Sequence, residues 1–244
     1  MPEPLPVHVQ LALEEVVGER VAAGRRGPTL RFWEWARPAL ILGSHQVLAN
    51  EIDTEAAREL GFTIGRRMSG GGTMVVEPGR TVTYSLLLPV SVVAGLSFVE
   101  SFAVLDAWAV DCLRGLGVPA SYQPINDIVS PEGKIGGAAQ ARRRGIVVHH
   151  TAIAHAMDAT IVPRLIRIGR RRVSPHGVRS AERVVSPLTR WLALSRDEVV
   201  AALAGCFTAR YPSQPSGLTD EELATATSLA ERKYATAEWI DRLR

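Results

Sequence analysis

The sequence predicts an α+β fold in which a mixed or antiparallel central sheet is flanked by helices. Two observations carry this. Segments that alternate apolar and polar residues crowd the middle of the 244-residue chain, and segments with helical spacing of apolar residues lie towards both ends. Strands gathered in one run, rather than alternating singly with helices, are the pattern of an α+β architecture.

Taken in order, QLALEEVVGERVAA (10–23) spaces its apolar residues as an amphipathic helix does. TLRFWEWARPALILGS reads as two short strands parted at Pro38, which cannot donate to a ladder. TEAARELG is a short helix closed by Gly61, a residue type favoured just past a helix end. FTIGRRMSGGGTMVVEPGRTVTYSLLLP alternates around two glycine-bearing turns and predicts adjacent strands. Ser97 with Glu100 forms a capping box that opens a helix through FVESFAVLDAWAVDCLRGLG. A strand near ASYQPINDIV, a turn at SPEG and strands at KIGGAAQARR and GIVVHHTAIAHAMD follow. Helices are then predicted at ATIVPRLIRIG, SRDEVVAALAGCFTARY and TDEELATATSLAERKY, with PSQPSG (212–217) a short linker to the C-terminal helical segment of a single domain, 1–244.

Composition narrows the function classes. A hydrophobic fraction of 46% and a formal charge of +3 suit a soluble globular protein. The start, MPEPLPVHVQ, lacks a basic segment followed by an apolar run, so no secretory signal is read. YSLLLPVSVVAGLSFVE is broken by Pro89, Gly95 and Glu100 before it reaches membrane-spanning length. The expected location is cytoplasmic. Cys112 and Cys206 offer neither a disulfide framework nor a C-x-x-C spacing, and both read as packing residues.

Three stretches could carry chemistry. RRMSGGGT (66–73) places three glycines between strands, where they pack nothing, and makes sense where backbone approaches a ligand. It lacks the Gly-Lys-Ser/Thr of a P-loop, and GKIGGA lacks the dinucleotide fingerprint, so kinase and dehydrogenase readings have little support. NDIVSPEGKIGGAAQ (126–140) sets Asn126 and Asp127 before a tight turn and Lys134 after it, so the three can meet across a hairpin. Of 28 basic residues 26 are arginine, which makes a lysine at 134 conspicuous: a slim ammonium enters spaces that a planar guanidinium does not. In VVHHTAIAHAMD, His149 and His150 point to opposite strand faces, and His155 shares a face with His149; pocket lining or sheet packing outweighs metal binding. Between Arg164 and Arg190 stand eight arginines and one acid, Glu182. Such a run suits an acidic partner. Without a nucleic-acid motif or interleaved aromatics, a nucleic-acid role is not expected.

Together these motifs resemble the lipoate–protein ligase family, whose catalytic domain shares its fold with biotin–protein ligases and is class II aminoacyl-tRNA synthetase-like. The resemblance rests on Arg66–Gly72, then on Asn126–Gln140 with Asn-Asp…Lys-Ile-x-Gly-x-Ala-Gln, and on His150; LRFWEW, LGSHQ with Gln46, and the terminal ERKYATAEW extend it along the chain. Val76, Glu77 and Arg80 replace the family's usual His-Asp pair and asparagine, and Thr151 stands where glycine often follows the histidine; GGTMVVEPG looks like the archaeal-type branch. The resemblance implies a stand-alone large domain without the accessory C-terminal domain, a separately encoded accessory subunit, and a lipoyl-carrier domain (an E2 subunit or a glycine-cleavage H-type protein) as partner.

It further implies ATP-dependent activation of lipoate or octanoate to acyl-AMP, followed by transfer to a carrier lysine. Lys134 would be catalytic. Arg66, Arg67, Ser69, Gly70, Gly71, Gly72, Thr73, Asn126, Asp127, Gly136, Gly137, Ala138 and His150 would bind substrate and ATP, with Asp127 helping to hold Mg²⁺. Two alternatives stay open. One is an octanoyltransferase of the same fold, which needs a nucleophilic cysteine near Tyr122–Lys134. The other is a non-catalytic protein that binds lipoate or docks carriers.

Overall fold

The computed structural model describes residues 3–243. Among these residues nine strands form two sheets. β1 (Thr29–Trp33), β5 (Thr81–Pro89), β6 (Ser121–Gln123), β7 (Asp127–Ser130), β8 (Gly133–Arg143) and β9 (Ile146–Ala154) make a six-stranded sheet in the order β1-β5-β9-β8-β7-β6, antiparallel throughout. β2 (Ala39–Leu42), β3 (Thr63–Arg66) and β4 (Met74–Val76) make a smaller sheet, ordered β3-β2-β4, in which β2 runs parallel to β3 and antiparallel to β4.

The glycine-rich stretch therefore does not run through neighbouring strands. β3 and β4 sit on either side of β2, and β5 belongs to the other sheet. The Ser69–Thr73 loop thus crosses the end of β2, and Gly43 permits the approach. A Cβ on Gly43 would stand 2.1 Å from the Gly71 carbonyl oxygen.

Helix α1 (Val7–Ala22) covers one face of the large sheet, and α4 (Phe98–Gly115) with α6 (Arg196–Arg210) covers the other. Both α4 and α6 open with capping boxes, Ser97 with Glu100 and Ser195 with Glu198. α1 starts three residues earlier than its apolar spacing indicates and buries Gln10, Glu14 and Glu15. Each of these meets a fixed partner: Gln10 bonds Arg31, Glu14 bonds Ser85 and His150, and Glu15 accepts from Tyr234 and Lys233. Short helices α2 (Leu48–Glu51), α3 (Thr54–Glu59) and α5 (Val162–Leu165) pack against the small sheet. The helix predicted over 159–169 is reduced to a 3-10 turn and α5. Ile166 pairs instead with Ile52, and the Arg167 amide donates to Glu51 O, so tertiary pairing overrides local propensity. Likewise ASYQPINDIV is two strands, β6 and β7, turned at 124–126.

After α6 the chain runs without regular structure to α7 (Asp220–Leu229), a π-helical turn at Ala230–Tyr234 and α8 (Ala237–Ile240). These return to α1 and β3. Cys112 and Cys206 read as separate packing residues in sequence. The structure instead joins them as a disulfide between α4 and α6, with Cα atoms 5.9 Å apart. No helix among the described residues is long and apolar enough to cross a membrane.

Candidate active site

Strand periodicity explains where a cavity forms. On the face beneath α1, β9 presents Val148, His150, Ala152 and Ala154 in turn. The bulky end, Val148 with Leu87 of β5, is filled by α1. The small end is not. Ala152, Ala154, Gly137, Ala139 and Thr81 floor a cavity of about 580 Å³, the size of a small-molecule site. Met74 and Val75 of β4, Val162 and Ile166 beside α5, and the 178–185 stretch wall the other side.

Lys134 and Asp127 stand at the polar end, and their meeting depends on a bulge. Residues three apart on a regular strand point to opposite faces. In β8, however, the register steps from Ile128↔Gly136 to Val129↔Lys134, which leaves Ile135 unpaired. Lys134 is thereby brought onto the face of Gly137 and Asp127. Its Nζ lies 2.7 Å from Asp127 Oδ1, over Gly137, where a Cβ would come within 2.6 Å of Nζ and 2.8 Å of Cε. Asp127 Oδ2 accepts from Arg183 Nε at 3.0 Å. The Lys134 strand also pairs with the 184–186 segment: its amide donates to Val184 O, and its carbonyl accepts from the Ser186 amide.

His150 closes the inner wall. It is 1% exposed, with Nδ1 2.8 Å from Glu14 Oε1 and Nε2 3.3 Å from Ser69 Oγ. Glu14 Oε1 also accepts from Ser85 Oγ, which in turn accepts from the Trp33 indole. A carboxylate can only accept, so Nδ1 donates to Glu14, while Nε2 shares a hydrogen bond with the Ser69 hydroxyl. Burial raises the Glu14 pKa, but the charge of His150, the hydrogen bonds from His150 and Ser85, and the charge of Arg31 outweigh it and leave the pKa below 4.5.

The predicted residues divide clearly. The cavity gathers Arg67, Gly71, Gly72, Thr73, Asn126, Asp127, Lys134, Gly136, Gly137, Ala138 and His150. Arg66, Ser69 and Gly70 do not line it. Arg66 is fully buried, and its guanidinium donates to Ile240 O, Gly43 O and Gln46 O, tying the C-terminal helix to the LGSHQ turn. Arg67 holds the glycine loop from within, donating to Ser69 Oγ and to the carbonyls of Ile41, Gly70 and Gly72. Burial pulls the pKa of each arginine down to about 10, so both stay charged at neutral pH. Both arginines shape the loop rather than offering a free cation. Asn126 is similarly engaged, its amide donating to Ala138 O.

No preformed all-protein metal cage is present among the described residues. Among the described residues no group of three or more His, Cys, Asp or Glu side chains converges, and both Asp127 oxygens already serve Lys134 and Arg183. His149 lies on the opposite face, bonded to Asp106 at 2.8 Å, and His155 Nε2 bonds Leu194 O. Neither joins the site.

Sequence reasoning missed Ser180 and Arg183. Ser180 Oγ donates to Glu51 Oε2 at 2.6 Å and accepts from the Thr73 amide and Gln46 Nε2. Arg179 and Arg183 line the cavity mouth. The arginine-rich run is thus folded over the site. Only its charge was visible in the sequence.

A six-stranded antiparallel sheet with a small mixed sheet beside it, enclosing this cavity, is the fold of lipoate–protein ligases. A bipartite lipoate protein ligase described with its E2 lipoyl domain, from Thermoplasma acidophilum, superimposes with a TM-score of 0.82 at 25% identity, covering 99% of this chain and 96% of that one. A putative lipoate protein ligase from the same organism with bound lipoic acid gives 0.79 at 25%, covering 99% and 100%. In sequence, residues 6–208 match the lipoyl protein ligase A/B catalytic domain, and the chain belongs to that family. Among curated relatives, lipoate-protein ligase A subunit 1 of T. acidophilum is 28% identical over 95% of this chain and 90% of its own length. Octanoyltransferase LipM of Exiguobacterium sp. is 28% identical over 94% and 92%. Octanoyltransferase LipM of Kyrpidia tusciae is 30% identical over the same shares.

Proposed function

We propose that this chain is the catalytic subunit of an ATP-dependent lipoate–protein ligase. It activates lipoate or octanoate to acyl-AMP, then transfers the acyl group to a lysine of a lipoyl-carrier domain. The carrying observation is the Lys134 ammonium, held at 2.7 Å by Asp127 in the wall of an apolar-floored cavity.

Both chemical steps build negative charge, first on the α-phosphate and then on the carbonyl oxygen of the acyl group. A preorganised cation between these atoms lowers both barriers. Lys134 leaves Asp127 for that position without stranding the carboxylate, because Arg183 remains paired to its other oxygen. Arg179 and Arg183, with Gly71, Gly72 and Asn126, are the groups that would meet the polyphosphate and ribose. Ala152, Ala154, Ile166 and Met74 would enclose the C8 chain. His150, its ring held by Glu14 at Nδ1, would form the inner wall against which the acid lies. The magnesium of the nucleotide would be carried by phosphate oxygens and water.

The second reading, a cysteine-dependent octanoyltransferase, is favoured by the LipM relatives. Against it stands the thiol inventory: the only two cysteines, Cys112 and Cys206, are joined between α4 and α6 and neither lines the cavity. The deciding experiment incubates the purified chain with α-labelled ATP, Mg²⁺ and either lipoate or octanoate, with and without an accessory subunit. Labelled acyl-AMP is expected. Acyl transfer from an octanoylated carrier without ATP, abolished by Cys112→Ser/Cys206→Ser, would replace the ligase reading with the second one.

A further inference from the structure

The arginine-rich segment has two sides. Arg170, Arg179, Arg183 and Arg190 are paired with Asp53, Glu51, Asp127 and Glu132. Arg171 and Arg172 are not. Both are exposed and form no ion pair among the described residues, and Arg172 meets only the Pro175 carbonyl. Beside them the same segment exposes Val173 at 66%, Val178 at 52% and Val184 at 71%, and Ile125 stands out at 62%. Ile125, Val178 and Arg179 line the cavity, and Arg179 donates to the Arg170 carbonyl, which ties the exposed arginines to the mouth of the site.

We infer that this rim, centred on Arg171, Arg172 and Val173, is the docking surface for the lipoyl-carrier domain, and that it meets a face of that domain combining acidic and apolar side chains. The inference rests on the ligase reading and adds to it where the second substrate lands. Three features favour a protein partner. Unpaired guanidinium groups seek carboxylates and steer their approach. Exposed aliphatic side chains along the same segment, with Val178 and Ile125 at the mouth itself, form the apolar part of a protein interface, which a phosphate backbone would not use. A carrier lysine must also enter this cavity, so its domain has to rest on the rim.

The test uses the whole chain, a recombinant apo-lipoyl domain and two variants outside the cavity, Arg171→Glu/Arg172→Glu and Val173→Asp. Acyl-AMP formation without the domain should stay within about twofold of wild type. The KM for the domain should rise about tenfold or more in the charge-reversal variant, most steeply at low salt. A smaller rise is expected for Val173→Asp. Calorimetric titration of the domain, without ATP, should show the same order of affinities. Wild-type KM and affinity in both variants would overturn the docking surface while leaving the ligase reading intact. Absent acyl-AMP together with Arg171/Arg172-dependent binding would overturn the ligase reading and leave the surface standing. Retention of a DNA duplex by these arginines in place of the domain would overturn the inference.

Discussion

Lys134 Nζ and Asp127 Oδ1 lie 2.7 Å apart above a residue with no side chain, Gly137. A methyl group there would fall 2.6 Å from Nζ, and the flexible end of the lysine would be the part to yield. Gly137→Ala should therefore fold as wild type and keep its melting temperature. Acyl-AMP formation should fall about 10²-fold, the scale on which small misplacements act. Single-turnover kinetics beside thermal melting checks both halves.

Lys134→Arg keeps the charge and changes the shape. A guanidinium reaches Asp127 but presents a broad planar fork where a compact donor is needed. The expected loss is about 10²–10³-fold in acyl-AMP formation, as for removal of one preorganised donor. Wild-type rates in this variant would dismiss the role of the ammonium.

The fold class, the Ser97–Glu100 capping box and the hairpin that brings Lys134 near Asp127 were legible in the sequence because each depends on near neighbours or on period-two alternation. What was not legible depends on distant chain. Nothing local marks Ile135 as the bulge that turns Lys134 onto the face of Gly137. Arg66 and Arg67 look like free cations beside a glycine loop, yet burial commits them to backbone carbonyls. Ser180 contacts Thr73 and Gln46 across more than a hundred residues, and no spacing rule announces that. The Cys112–Cys206 link spans 94 residues and appears only when α4 meets α6.

Glu14 gives a pH prediction whose sign is fixed. Its folded-state pKa lies below the ordinary value of 4.5: burial pushes it up, and His150, Ser85 and Arg31 together bring it down further. A depressed carboxylate stabilises the fold above its unfolded pKa, and that stability is lost as pH falls through the folded value. Glu14→Gln should therefore melt below wild type at pH 7, and the gap should narrow below about pH 4.5. It should also lower kcat more than it raises KM for the acid, because the amide no longer holds the His150 ring with a charge-assisted bond. Equal melting gaps at pH 7 and pH 3 would remove the ionic role.

The cysteine pair separates stability from chemistry. Cys112→Ser/Cys206→Ser should retain full ATP-dependent activity, since neither sulfur lines the cavity. The oxidised wild type should melt several degrees higher than the variant, because a cross-link over a long loop contributes about 2–4 kcal/mol by restricting the unfolded chain. Alkylation of the unfolded, unreduced wild type should label neither cysteine.

The acyl floor follows from strand alternation, and it sets chain length. Ala152 projects into the cavity between His150 and Ala154, opposite Gly137 on β8. Leucine at 152 would enter empty space rather than displace packed neighbours, so folding should survive and the cavity should shorten. A mismatch of one methylene already alters kcat/KM by roughly 10–200-fold. Ala152→Leu should therefore lose at least about tenfold in kcat/KM for octanoate and lipoate, and lose much less for butyrate. Acyl-AMP formation across a series of straight-chain acids reads this directly. Uniform losses at every chain length would mean that position 152 supports the adenylate end of the cavity and leaves the chain untouched.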